Sequence, residues 1–175
     1  MIAFATIYKV TDCSCICNNL YMNKDQRYPS PQFAAWASLL ETYKVLLEKV
    51  QNALSEAALP PLEWYDLLLE LRLAQDQRLR LFELGERIVL SRSNLTRLCD
   101  RLEKEGLIYR ERCSKDRRGL YATLSEKGDA LRKRMWPVYR HAVEQHFAVH
   151  LSEEEAGTLS DLLLKVRSLA SKSRL

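Results

Sequence analysis

Lys115-Asp116-Arg117-Arg118 places three cations in four consecutive positions, and Gly119 closes the run. Upstream, Arg92, Arg97, Arg101 and Lys104 recur along one segment. Guanidinium and ammonium groups in such numbers suit phosphate oxygens, which accept their hydrogen bonds and neutralise their charge. Nine basic and five acidic residues lie between Ser91 and Gly119, so this window carries the whole net charge of +4. A local basic excess of this kind is the electrostatic footprint of a nucleic-acid contact, although charged loops are more often simply solvated.

Other reactive side chains offer weaker chemistry. Cys113 has Arg112 beside it and Lys115 and Arg117 nearby. Cations favour the thiolate, which makes Cys113 a candidate redox thiol. Cys99 falls on a leucine stripe and reads as a small buried hydrophobe. Cys13, Cys15 and Cys17 alternate without a nearby histidine, a poor match to zinc-ligand spacing. Five cysteines do not suggest a disulfide framework. His141, His146 and His150 would share a helix face only if one helix spanned them, and they read as surface or interface residues. No metal or other cofactor is expected. A glycine-rich phosphate loop, G-x-S-x-G and a local His/acid set are all missing from the sequence, so the chain is not expected to be an enzyme.

The elements that must position these groups follow from periodicity. Phe33, Trp36, Ala37, Leu40, Tyr43, Leu47, Val50 and Leu54 recur at three- and four-residue steps, predicting a long helix that Pro60-Pro61 stops. Its apolar stripe needs a covering surface. Residues 62–73 form a second helix, apolar on most sides. Two short helices follow, over 81–89 and 92–106, joined by the tight Leu90-Ser91 link with Ser91 as N-cap and Gly106 as C-cap. This is the outline of a helix-turn-helix. Period-two alternation then predicts a hairpin, Tyr109–Cys113 against Leu120–Leu124, with the charged run at its tip. Ser125 caps a further helix that Pro137 is expected to kink, and Ser152 with Glu153–Glu155 opens the last one, running to about residue 170.

A helix-turn-helix followed at once by a β-hairpin is a winged helix. Residues 90–128, LSRSNLTRLCDRLEKEGLIYRERCSKDRRGLYATLSEKG, closely resemble the MarR family of bacterial transcription regulators. The features carrying the resemblance are S-x-S-x-L-T-R-L-x-D-R-L-E-x-x-G-L, the D-R-R-G of the wing, and the strand that closes into L-S-x-x-G. It extends more loosely over 32–170 and leaves out 1–31.

The resemblance implies a mostly α (α+β) fold, a winged helix-turn-helix with N- and C-terminal dimerisation helices. Residues 60–125 would be the DNA-binding domain. Segments 32–59 and 126–172 would make the homodimer, and 1–31 a disordered extension. Each protomer would read half of a palindromic double-stranded DNA site, most often as a repressor. The start of the 92–106 helix would enter a major groove with Ser91, Arg92, Ser93, Asn94, Thr96 and Arg97, leaving Arg101 for backbone phosphate. The wing tip, Lys115, Asp116, Arg117 and Arg118, would reach the neighbouring minor groove, where the resemblance assigns the inserted arginine to Arg118.

Two release signals are open, and only the first comes from the resemblance. A small aromatic effector would occupy a crevice, for which Trp36, Tyr43, Trp64 and Tyr65 are candidates, although core packing is the simpler account of each. Thiol oxidation is the other. Peroxide-sensing relatives place their cysteine near the start of the first dimerisation helix, and 32–58 contains none, so that mechanism is not carried over, and Cys113 is a candidate from its local charge alone. A dimeric winged-helix module that contacts protein instead of DNA is the alternative. No run is long enough to span a membrane, and the apolar N-terminus lacks the basic lead of a signal peptide, so a cytoplasmic location is expected.

Overall fold

The computed structural model describes residues 28–88, 90–112 and 119–172, with side chains to residue 169. In order, the elements are α1 (Pro31–Glu56), α2 (Leu62–Leu73), a 3-10 turn (Gln75–Gln77), β1 (Arg78–Arg80), α3 (Leu81–Arg87) and α4 (Arg92–Lys104). They continue with β2 (Ile108–Arg112), β3 (Leu120–Leu124), α5 (Glu126–His146), a 3-10 turn (Ala148–His150) and α6 (Glu153–Lys172). Two compact units divide within α1, between Lys44 and Val45.

In the first unit the apolar stripe of α1 is uncovered. Phe33, Trp36, Leu40 and Tyr43 are all about half exposed or more.

The second unit holds two hydrophobic cores. The larger collects Leu67, Leu68 and Leu71 of α2, Leu84 of α3, Leu95, Leu98, Cys99 and Leu102 of α4, and Ile108, Ala122 and Leu124 of the sheet. The smaller packs Val50 and Leu54 of α1 against Tyr65 of α2 and Met135 and Ala142 of α5. Because α2 is apolar nearly all round, it forms a wall of both cores. On α6, by contrast, Leu162, Leu163, Val166 and Leu169 are exposed.

The sheet has three strands where the sequence predicts two. The order is β1-β3-β2, all antiparallel, with Arg78 opposite Thr123, Leu79 opposite Ala122 and Arg80 opposite Tyr121. Arg-Leu-Arg holds a single apolar residue, too little alternation to reveal a strand. The free edge of β3 supplies the backbone partners that make it one.

Short-range signals set the ends of α4. Ser91 Oγ accepts from the Asn94 amide at 3.3 Å. At the other end Gly106, with φ +69°, donates its amide to Glu103 O, and Leu107 donates to Leu102 O, both at 2.9 Å. This pair of bonds is a Schellman motif, and the left-handed position favours glycine. The helix therefore ends at Lys104, with Gly106 just beyond it. Likewise α3 ends at Arg87 rather than 89, Val89 itself lying outside the described residues. Helix α5 runs through Pro137 as one element.

The L-S-x-x-G segment ties the wing to the turn after α4. Ser125 accepts from the Gly128 amide at 2.9 Å while its hydroxyl donates to Gly106 O at 2.8 Å. The Ser125 amide donates to Leu107 O at 3.1 Å. A Cβ on Gly128 would lie 2.1 Å from that same carbonyl oxygen, so the close approach requires glycine.

Candidate nucleic-acid interface

On α4, Leu95, Leu98, Cys99 and Leu102 face the core, which turns Ser93, Arg97 and Lys104 to the opposite side at 3.6 residues per turn. All three are exposed. Arg92, Arg97 and Lys104 have no ion pair or side-chain hydrogen bond among the described residues. The two flanks of this row are tied down. On one side Arg110 of β2 bonds Asp100 Oδ1 at 2.7 Å and Glu103 Oε2 through Nε at 2.7 Å, and its backbone amide donates to Glu103 Oε1 at 3.2 Å. On the other side Arg101 Nη2 donates to Glu63 Oε1 of α2 at 2.9 Å. Hydrogen bonding to Arg110 holds the Glu103 carboxyl below the usual glutamate range, and the same bond raises the Arg110 guanidinium.

The start of α4 is polar and exposed. The Ser91 and Ser93 hydroxyls lie 3.1 Å apart, and Thr96 Oγ1 donates to Arg92 O at 3.0 Å. That back-bond directs the Thr96 proton toward its own helix and leaves the oxygen lone pairs and the methyl for an outside partner. Ser91, Arg92, Ser93, Asn94, Thr96, Arg97 and Arg101 are all exposed. Cys113, Lys115, Asp116, Arg117 and Arg118 lie outside the described residues, and the wing is described only to its last strand pair, Arg112 opposite Leu120.

Of the aromatic crevice candidates, Trp36 and Tyr43 are exposed in the first unit. In the second unit Trp64 and Tyr65 face different cores. Trp64 packs against the larger one, with its Nε1 buried and unpartnered among the described residues. Tyr65 is 1% exposed and stacks on Tyr139 at 4.9 Å between ring centres. Cys99 is fully buried, and burial pushes its thiol up to about 11. His141 and His146 border an open depression with Lys49, Asn52 and Glu56, and His150 sits in the 3-10 turn beyond the end of α5. Among the described residues no group of His, Cys, Asp and Glu side chains could hold a metal ion, and no helix is long and apolar enough to cross a membrane. Two anchors of α4, Glu63 and Arg110, escape sequence reasoning, because pairing across packed elements leaves no local signal.

Comparison with known proteins decides the family. The family model described as "MarR family" matches residues 65–120. The HTH-type transcriptional regulator SarZ of Staphylococcus aureus is 31% identical over 130 residues, covering 74% of this chain and 82% of SarZ. The chain belongs to the MarR family. As a MarR-family chain it is a winged-helix, DNA-binding transcription regulator, and the fold agrees with solved members. Sco3205 of Streptomyces coelicolor, a MarR family regulator solved in complex with DNA, is 30% identical with a TM-score of 0.73, over 81% of this chain and 89% of that one. AbsC of the same organism is 27% identical with a TM-score of 0.74, over 83% and 99%.

Proposed function

We propose that this MarR-family chain acts as a homodimer on a palindromic operator and represses by occupying a promoter. The observation that carries the reading is the α4 surface. Its N-terminus is capped by Ser91, its outward row of Ser93, Arg97 and Lys104 is exposed, and Arg110 of β2 ties the Asp100 flank to the sheet. Backbone amides and small polar side chains at the front of such a helix suit phosphates and base edges in a major groove. The wing residues Lys115, Asp116, Arg117 and Arg118 extend the contact to the adjacent minor groove, with Arg118 inserted.

A second copy of the chain covers the exposed stripe of Phe33, Trp36, Leu40 and Tyr43, and likewise the leucine face of α6. A small aromatic effector releases the operator by altering the separation of the two recognition helices from about one DNA turn. Selection from a random DNA pool tests the reading, run with the wild-type protein and with Arg97→Ala and Arg118→Ala at several salt concentrations. A palindrome that both variants bind weakly, with a steep salt response, is the expected result. No enriched sequence and a flat salt response would sink it in favour of a protein-contact module.

A further inference from the structure

Arg101 is engaged by an acid of its own chain. Its Nη2 lies 2.9 Å from Glu63 Oε1, and Glu63, Asn94, Arg97, Asp100 and Arg101 surround a shallow open depression beside the recognition helix. The side chains are 57% and 33% exposed, so the pair sits at the surface where a phosphate oxygen would approach this flank of α4. A guanidinium presents its donors in one fixed plane, and a carboxylate on that plane takes donors a phosphate would use.

We propose that Glu63 is a positioning residue that sets affinity through Arg101, competing with DNA phosphate for its guanidinium. The inference rests on the DNA reading above. An exposed ion pair is weak, whereas a phosphate contact also releases a condensed counterion, so DNA displaces Glu63 at a modest cost. Glu63 stands in the first turn of α2, where free backbone amides favour a carboxylate. When Arg101 leaves, the acid keeps that favourable neighbour, which makes the exchange reversible. The device lowers affinity for any duplex, because the contact it penalises reads no sequence.

The test is fluorescence anisotropy on a short mixed-sequence duplex over a range of salt. It uses wild type, Glu63→Gln, Glu63→Asp, Arg101→Ala and the Glu63→Gln/Arg101→Ala double variant, with a thermal midpoint for each. Glu63→Gln is expected to bind roughly two- to fivefold tighter and to steepen the salt slope by about one. Glu63→Asp withdraws the carboxylate but keeps the charge at the start of α2, and should move the same way to a smaller extent. The gain should vanish in the Arg101→Ala background. Unchanged or weaker binding by Glu63→Gln overturns the inference, as does a gain that persists without Arg101. A wild-type protein with no salt-dependent binding overturns the DNA reading itself, and the two failures are thereby distinguishable.

Discussion

Arg110 Nε lies 2.7 Å from Glu103 Oε2, so the first strand of the wing is bonded to one flank of α4. Asp100, one turn earlier on α4, takes the guanidinium at 2.7 Å as well. One side chain therefore sets the angle between the two parts that would meet DNA. Arg110→Leu is expected to weaken operator binding about tenfold or more, with a loss of stability of only about 1 kcal/mol, because the buried core is untouched. Parallel binding and thermal denaturation measurements separate the two effects.

The same pair predicts a pH dependence. Arg110 lowers the folded-state pKa of Glu103 below its unfolded value. The stabilisation is therefore fully present above the unfolded glutamate pKa and is lost as pH falls through the folded value. Wild type should exceed Glu103→Gln in thermal midpoint at neutral pH, and the difference should close on acidification below the usual glutamate range.

Asp66 carries the opposite sign. Burial, with a smaller contribution from Glu70, pushes its carboxyl up to about 6. The folded state then binds a proton more tightly than the unfolded state, so ionised Asp66 is a cost above about pH 6, relieved as pH falls toward the ordinary aspartate value. Asp66→Asn should raise the thermal midpoint at neutral pH by about 2–4 °C. Differential scanning calorimetry from neutral to mildly acidic pH should show that advantage shrinking.

Gly128 is the most crowded of the described glycines. Its substitution by alanine puts a Cβ 2.1 Å from Leu107 O, and backbone on both sides must move. Gly128→Ala should cost about 1–3 kcal/mol in denaturant unfolding. Ser125→Ala, which loses both the cap and the bond to Gly106 O, should cost about 1–2 kcal/mol.

Cys99 should resist alkylation in the native protein, since its thiol is buried and pushed up to about 11. Peptide mapping after iodoacetamide treatment checks this. Labelling of Cys99 is expected only once denaturant is added.

Much of this architecture is legible residue by residue. The Ser91 cap, the glycine two residues past Lys104 and the leucine spacing between them define α4 through bonds spanning no more than five residues. Ser125 and Gly128 mark the return from wing to helix in the same way. Strand β1 is not legible. The turn before it holds Asp76 and Gln77 at φ 56° and 53°, left-handed positions with no glycine to announce them, and its partner strand is more than forty residues away. The neighbours Trp64 and Tyr65 separate into different cores because α2 is walled on two sides, which periodicity within a single helix cannot reveal.

Charge divides along the same line. That a capped helix rich in arginine precedes a basic hairpin can be read from the chain alone, because caps, turns and side-chain periodicity are local properties. Which of those cations are engaged depends on packing. Arg101 is held by Glu63 from 38 positions earlier and Arg110 is held by α4, whereas Arg92, Arg97 and Lys104 face outward with no ion pair among the described residues. Coulombic pairing acts over ångströms of space, not along the chain, so packing alone sets the availability of each charge.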